Sequence, residues 1–149
     1  MALESNFRLS RLVLGWGPVI LWMAGLFWGS ALLERPPTPG MQHFAWDDKF
    51  QHTAAYAILA GFVWRALGPR WTSGWFRAAI AILIAVGYGA FDECHQWFVP
   101  GRECSFSDWS CDATGAALAG VVLALVAGRS RAATVPDQRS GGPLWPPGR

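Results

Sequence analysis

Apolar residues fall into four runs, each framed by polar or turn-forming residues. Leu12 to Leu33 gives 22 residues without a charge, and about 20 suffice to cross a bilayer core. A secretory h-region is shorter, roughly 7–15 residues. The run therefore predicts an uncleaved membrane helix, although Gly29-Ser30-Ala31 keeps cleavage open as an alternative. Pro18 falls inside it, where a bilayer helix tolerates proline. The other runs are short: Phe50 to Trp64, Ala78 to Phe91 and Ala113 to Gly128. Each reaches spanning length only by extending through polar residues. The second extends back to Asp47 or Asp48 and on to Leu67, with Arg65 reaching to the interface. The third continues through Asp92, Glu93, His95 and Gln96 to about Val99, and the fourth reaches back through Asp112 to Asp108.

The breaks between runs carry turn chemistry. Arg35-Pro36-Pro37-Thr38-Pro39-Gly40 cannot continue a helix, because proline fixes φ and removes a donor. Gly68 to Gly74 reads as a tight basic turn, and Pro100-Gly101 ends the third helix. The pattern predicts an all-α membrane protein, a four-transmembrane-helix bundle with helices over about 12–33, 48–67, 76–99 and 108–128. Residues 1–11 form a short N-terminal segment. Residues 129–149, rich in Arg, Ser, Gly and Pro, read as a disordered tail.

Composition supports this. Of the 149 residues 52% are hydrophobic and only 15% charged, with ten tryptophans; soluble domains carry about 25% charged residues. No basic stripe points to nucleic acid. Charge distribution sets an orientation. With residues 1–11, the 65–77 turn and the tail on one side, that side holds nine of the twelve cations. The positive-inside rule makes it cytoplasmic, so both termini are expected in the cytoplasm. Eight of the ten acids and all three histidines fall on the outer side. Trp46, Trp71, Trp75, Trp97 and Trp109 sit at the expected helix ends, as an interfacial aromatic belt does.

Helices two, three and four thus carry polar residues where their apolar runs fall short, and all three polar ends are outer ends. Turning these ends toward each other makes a polar pocket sunk in the outer leaflet. Asp48, His52 and Tyr56 share one helix face by their spacing of four. Tyr88, Asp92, His95 and Gln96 are expected on one face of the third helix with Glu93 beside it, and Asp108, Asp112 and Gly115 line the fourth. Ala81, Ala85 and Gly89, with Ala116, Ala119 and Gly120, are small-residue ridges that let membrane helices approach closely.

Three chemistries suit such residues. Lys49 and Arg102 can grip an anion, arginine through its bidentate fork. His52 or His95 beside carboxylates can act as a general base, with Glu93 as acid. Alternatively the charged groups staple the helices together and do nothing else. His52, His95, Glu93 and Asp112 are also a conceivable metal set, but no HExxH-like spacing supports it, and neither metal nor cofactor is expected. Cys94 adjoins His95, but adjacent helical residues do not face each other, so Cys94 is expected as a small buried residue. Cys104 and Cys111 are open to a disulfide or to free thiols, and His43 reads as a solvated loop residue.

Three blocks resemble the VanZ-like family of small bacterial membrane proteins. Asp48-Lys49-Phe50-Gln51-His52-Thr53-Ala54-Ala55-Tyr56 is similar to a D-K-x-x-H-x-x-x-Y helix opening. Glu93-Cys94-His95-Gln96-Trp97-Phe98, followed by a turn and Arg102, resembles the family's E-x-x-Q-x-F block. Ser105, Asp108, Asp112 and Gly115 resemble its entry to the last helix. The resemblance covers about residues 46–124 and implies an outward-facing envelope role, since the family takes its name from a protein linked to resistance to the glycopeptide teicoplanin. The expected ligand-binding residues are Asp48, Lys49, His52, Tyr56, Asp92, Glu93, Gln96, Arg102, Asp108 and Asp112, with His52, Glu93 and His95 as catalytic alternatives. Expected partners are membrane lipids and a lipid-linked wall precursor or a glycopeptide. A reading as a lipid transporter would need an oligomer, because four helices enclose only a narrow path.

Overall fold

The computed structural model describes residues 2–32, 45–68, 73–100 and 104–133, with side chains over 12–30, 49–68, 73–100 and 104–130. Four helices account for nearly all of them: α1 (Ala2–Leu32), α2 (Ala45–Leu67), α3 (Gly74–Gln96) and α4 (Phe106–Ala133). No strand occurs among the described residues. The segments Leu12–Ser30, Gly74–Gln96 and Phe106–Ser130 are long and apolar enough to cross a membrane. The chain is therefore a multi-pass membrane protein. At 23 residues α2 is about 34 Å long at 1.5 Å per residue, but Gln51, His52 and Thr53 lower its hydropathy. It packs against all three other helices, and an enclosed helix can carry polar groups that a lipid-facing one cannot.

Helix ends depart from the sequence pattern for local reasons. α3 stops at Gln96, short of Val99. The Phe98 amide bonds the carbonyl of His95 and the Val99 amide that of Gln96, which tightens the chain into a turn. Val99 also precedes Pro100, a position where helical geometry is disfavoured. α1 begins at Ala2, inside the segment expected to precede the membrane helix. α4 runs on to Ala133, into the expected tail; residues 134–149 lie outside the described ones. α2 ends at Leu67 and is followed by Gly68, whose φ of +69° is the left-handed conformation favoured just past a helix C-terminus.

The core is made by α2, α3 and α4, with α1 laid against α2 and α3; α1 and α4 do not touch among the described residues. Tyr56, Leu59, Ala60 and Val63 of α2 meet Ala78, Ala81 and Ala85 of α3 and Ala116 and Ala124 of α4. Without a hydrophobic drive between helices in lipid, close van der Waals approach has to hold such a bundle. Gly115 makes the closest approach: a Cβ there would collide with the carbonyl oxygen of Thr53. α1 is tied in by Trp22, whose Nε1–H donates to the Ala55 carbonyl at 3.0 Å, and by Tyr88, whose hydroxyl donates to the Met23 carbonyl.

The far end of the bundle holds the arginines. Gly68 donates to the carbonyl of Arg65, which leaves the carbonyl of Trp64 for Arg77. The Arg77 guanidinium donates to it through Nε and Nη2 and lies 4.2 Å over the Trp64 ring.

Candidate functional site

The start of α2, the end of α3 and the start of α4 bring their polar residues together at one end of the bundle. Lys49 opens the α2 stripe and faces α4. Its Nζ donates to Ser107 Oγ at 2.6 Å and to Asp108 Oδ1 at 3.2 Å. One turn deeper, His52 Nδ1 lies 3.0 Å from Asp112 Oδ1. One more turn down is Tyr56, fully buried. Burial rises along the way: the Lys49 side chain is 37% exposed, His52 15% and Asp112 1%.

The His52–Asp112 register follows from the glycine below it. Gly115 lies one turn from Asp112 on α4, and Thr53 follows His52 on α2. Backbone contact between Gly115 and Thr53 fixes the separation at which the imidazole reaches the carboxylate. Gly89 does the same for α3. A Cβ there would meet Asp112 Oδ2 at 3.1 Å and the Tyr56 ring at 3.2 Å.

Glu93 belongs to the same cluster through an unusual cap. Ser105 precedes α4 and caps it, its Oγ accepting the amide of Asp108 at 3.2 Å. In an ordinary capping box the acid three residues on would reach back to the cap's own amide. Here Glu93 Oε2, from α3, accepts the Ser105 N–H at 2.8 Å, while Asp108 takes Lys49 instead. Glu93 Oε1 accepts from Gln96 Nε2 at 3.2 Å, and the same amide donates to Asp92 Oδ2 at 3.3 Å. Asp92, Glu93, Gln96 and Asp112 are all buried.

The third helix presents two polar faces, not the single one its spacing suggested. Glu93 and Gln96 turn inward with Gly89. Tyr88, Asp92 and His95 form an adjacent stripe that turns toward α1. Tyr88 bonds Met23, Asp92 Oδ1 accepts from Ser30 Oγ at 2.9 Å, and the His95 ring stacks on Phe27 at 3.9 Å between centroids. His95 is thus held against α1, apart from the His52–Asp112 contact. Ser30 carried no sequence signal as a site residue; only its place at the polar end of α1 marks it.

Cys94 is exposed, not buried, because it follows Glu93 by one residue and points away from the bundle. All three cysteines are free thiols. Trp75 and Trp97 are exposed at helix ends, whereas Trp109 is half-buried and donates to the Val86 carbonyl. Arg102, His43, Trp71 and the side chains of Trp46 and Asp48 lie outside the described residues. A separate cavity of about 370 Å³ opens between α1 and α2, lined by Pro18, Leu21, Trp22, Gly25, Leu26 and Phe62. It is apolar and contains none of the clustered polar residues.

Two features of the cluster bear on its chemistry. A carboxylate against an imidazole fixes the orientation of that ring. A lysine at the more exposed margin, hydrogen-bonded but not enclosed, can meet an anion from the membrane surface.

No curated protein and no solved structure matches the chain. A profile of the family described as VanZ/LLP1 matches residues 18–127, a segment that contains every described residue of the polar cluster. Since that match spans most of the chain, the protein belongs to the VanZ/LLP1 family.

Proposed function

We propose that the polar end of the bundle is a binding site for the anionic head group of an envelope component, a lipid-linked wall precursor or a glycopeptide, reached from the outer face of the bacterial inner membrane. The observation that carries this reading is the gradient from Lys49 to Asp112. A half-exposed ammonium leads through Asp108 and His52 to buried carboxylates, all on facing helices. Charges at membrane depth are costly and mark functional sites by default. In this reading Lys49, with Arg102 from the following loop, holds the anion. His52, Glu93, Gln96, Asp108 and Asp112 shape the site and make the donors and acceptors around it. Protection against a glycopeptide would follow from capture of the drug or of its lipid-linked target.

The test is direct binding. The protein in lipid nanodiscs is titrated with a fluorescent lipid-linked wall precursor and, separately, with teicoplanin. Binding of either that weakens at least about tenfold in Lys49→Ala and Asp108→Ala, a loss of about 1.4 kcal/mol, supports the reading. Equal binding by wild type, both variants and empty nanodiscs rejects it.

The His52–Asp112 contact favours a second reading, an intramembrane enzyme acting on a lipid-linked substrate. His52 would be the base, oriented by Asp112, and Glu93 the acid. Turnover of the precursor by wild type, lost in His52→Ala at unchanged folded yield, would select this reading over simple binding.

A further inference from the structure

His52, Glu93 and Asp112 come from three different helices, yet each offers a ligand atom within 4.8 Å of the others. We propose that these three side chains bind a divalent transition-metal ion, zinc or manganese. Such a site would exist whether or not a head group binds.

The donor set is one imidazole and two carboxylates. Imidazole suits zinc and its neighbours, and carboxylate suits manganese. Tetrahedral bond lengths of about 2.0–2.2 Å put ligand atoms about 3.3–3.6 Å apart, so a pair at the 4.8 Å limit has to close by about 1.2 Å. Three protein ligands leave further positions for water or for a ligand's oxygen, as in catalytic and not structural zinc sites. Because no two of the ligands share a helix, no local spacing motif marks them.

Two independent observations point to an ion. First, buried polar atoms at the cluster lack partners. Asp112 Oδ2 and the Tyr56 hydroxyl have no hydrogen-bond partner among the described residues, although both residues are 1% exposed. Leaving buried polar groups without partners is costly, so an occupant that satisfies them is favoured. Both converge on Gly89: the Cβ position that residue leaves empty is 3.1 Å from Asp112 Oδ2 and 3.2 Å from the Tyr56 ring. Second, the charge is unbalanced. Asp92, Glu93, Asp108 and Asp112 are four carboxylates. Lys49 is the fixed cation among the described residues here, one against four. A divalent ion supplies two of the missing charges at the place where the carboxylates are most buried.

The existing contacts fit a loaded site. Glu93 keeps Ser105 and Gln96 as outer partners, which hold its carboxylate in position.

The test uses the full chain, purified in detergent with chelator, desalted and titrated with Zn²⁺ or Mn²⁺ alone. One ion per chain is expected, with a rise in melting temperature. His52→Ala and the near-isosteric Asp112→Asn and Glu93→Gln should each weaken binding by more than about tenfold, since even outer partners command about 10–100-fold. Gly128→Ala, far from the ligands and with nothing within 4 Å of the added methyl, should bind as wild type. Co²⁺ should give visible d–d bands that vanish in His52→Ala. If neither metal binds below about 100 μM, which would leave the surplus charge neutralised by protons, the proposal is overturned. It is overturned equally if all three ligand variants, each still monodisperse, bind as wild type does.

Discussion

Glu93 accepts the backbone N–H of Ser105 at 2.8 Å, so the first turn of α4 is capped by a side chain from α3. The cap couples the end of one membrane helix to the start of the next across a short loop. Removing the carboxylate leaves an N–H at a half-buried helix terminus without its acceptor. Glu93→Ala should destabilise the protein by about 1–3 kcal/mol. Glu93→Gln should cost less, because the amide oxygen still accepts. Melting of the detergent-solubilised variants, followed by loss of monodispersity, checks the order.

Gly115 is the contact that sets α2 against α4. Gly115→Ala drives a methyl into the Thr53 carbonyl oxygen, a backbone atom that cannot rotate aside. A loss of about 1–3 kcal/mol is expected from overpacking. Gly128→Ala, where nothing lies within 4 Å, is the control. There the higher helix propensity of alanine should make the change neutral or mildly stabilising. The same melting measurement separates the two.

Arg77 closes the other end by donating twice to the Trp64 carbonyl and stacking on that residue's ring. Arg77→Lys keeps the charge and loses the planar fork. A loss of about 1 kcal/mol is expected for the stacking and one hydrogen bond together. In a Trp64→Leu background, which keeps the carbonyl and removes the ring, the cost of the same Arg77→Lys change should lose only its stacking part, which a double-mutant cycle reads directly.

Orientation can be read with native thiols. Cys94 and Cys104 are both exposed near the polar end. An impermeant maleimide added to intact spheroplasts should label them without permeabilisation, and labelling should disappear in the Cys94→Ser, Cys104→Ser double variant. Labelling that requires permeabilisation would place the polar end in the cytoplasm and reverse the arginine-based orientation.

Much of this architecture is legible in the chain because lipid restricts what a span can contain. Twenty-odd residues without a charge admit few structures but a helix, and proline clusters mark where helices stop. The α2 stripe of Asp48, His52 and Tyr56 is readable because periodicity alone fixes which residues share a face; among the described side chains His52 and Tyr56 follow it, with Lys49 at its head. Periodicity does not say which neighbour that face meets. Tyr88, Asp92 and His95 read as one wall with Gln96, yet they turn to α1, because Ser30, Phe27 and Met23 occupy that side. α4 is apolar nearly all the way round below Asp112, so its rotation is set by Gly115 and Gly120 pressing on α2 and α3. The exchange at the α4 cap was hidden for a related reason. Ser105 and Asp108 have the spacing of a self-contained capping box, and only the position of α3 lets Glu93 take over one half of it.

The pairing of α2 with α4 has a consequence for how the protein is made. Lys49 and His52 find their partners Asp108 and Asp112 59 and 60 residues later in the chain. α2 is also the one described helix whose hydropathy falls short of a membrane span. When it leaves the ribosome, the carboxylates that balance its lysine and histidine have not yet been translated. Full insertion of α2 therefore has to wait for α4. An insertase that retains the first three helices until the fourth emerges would be expected to decide the yield of the protein, and truncation before Asp108 should leave α2 at the membrane surface.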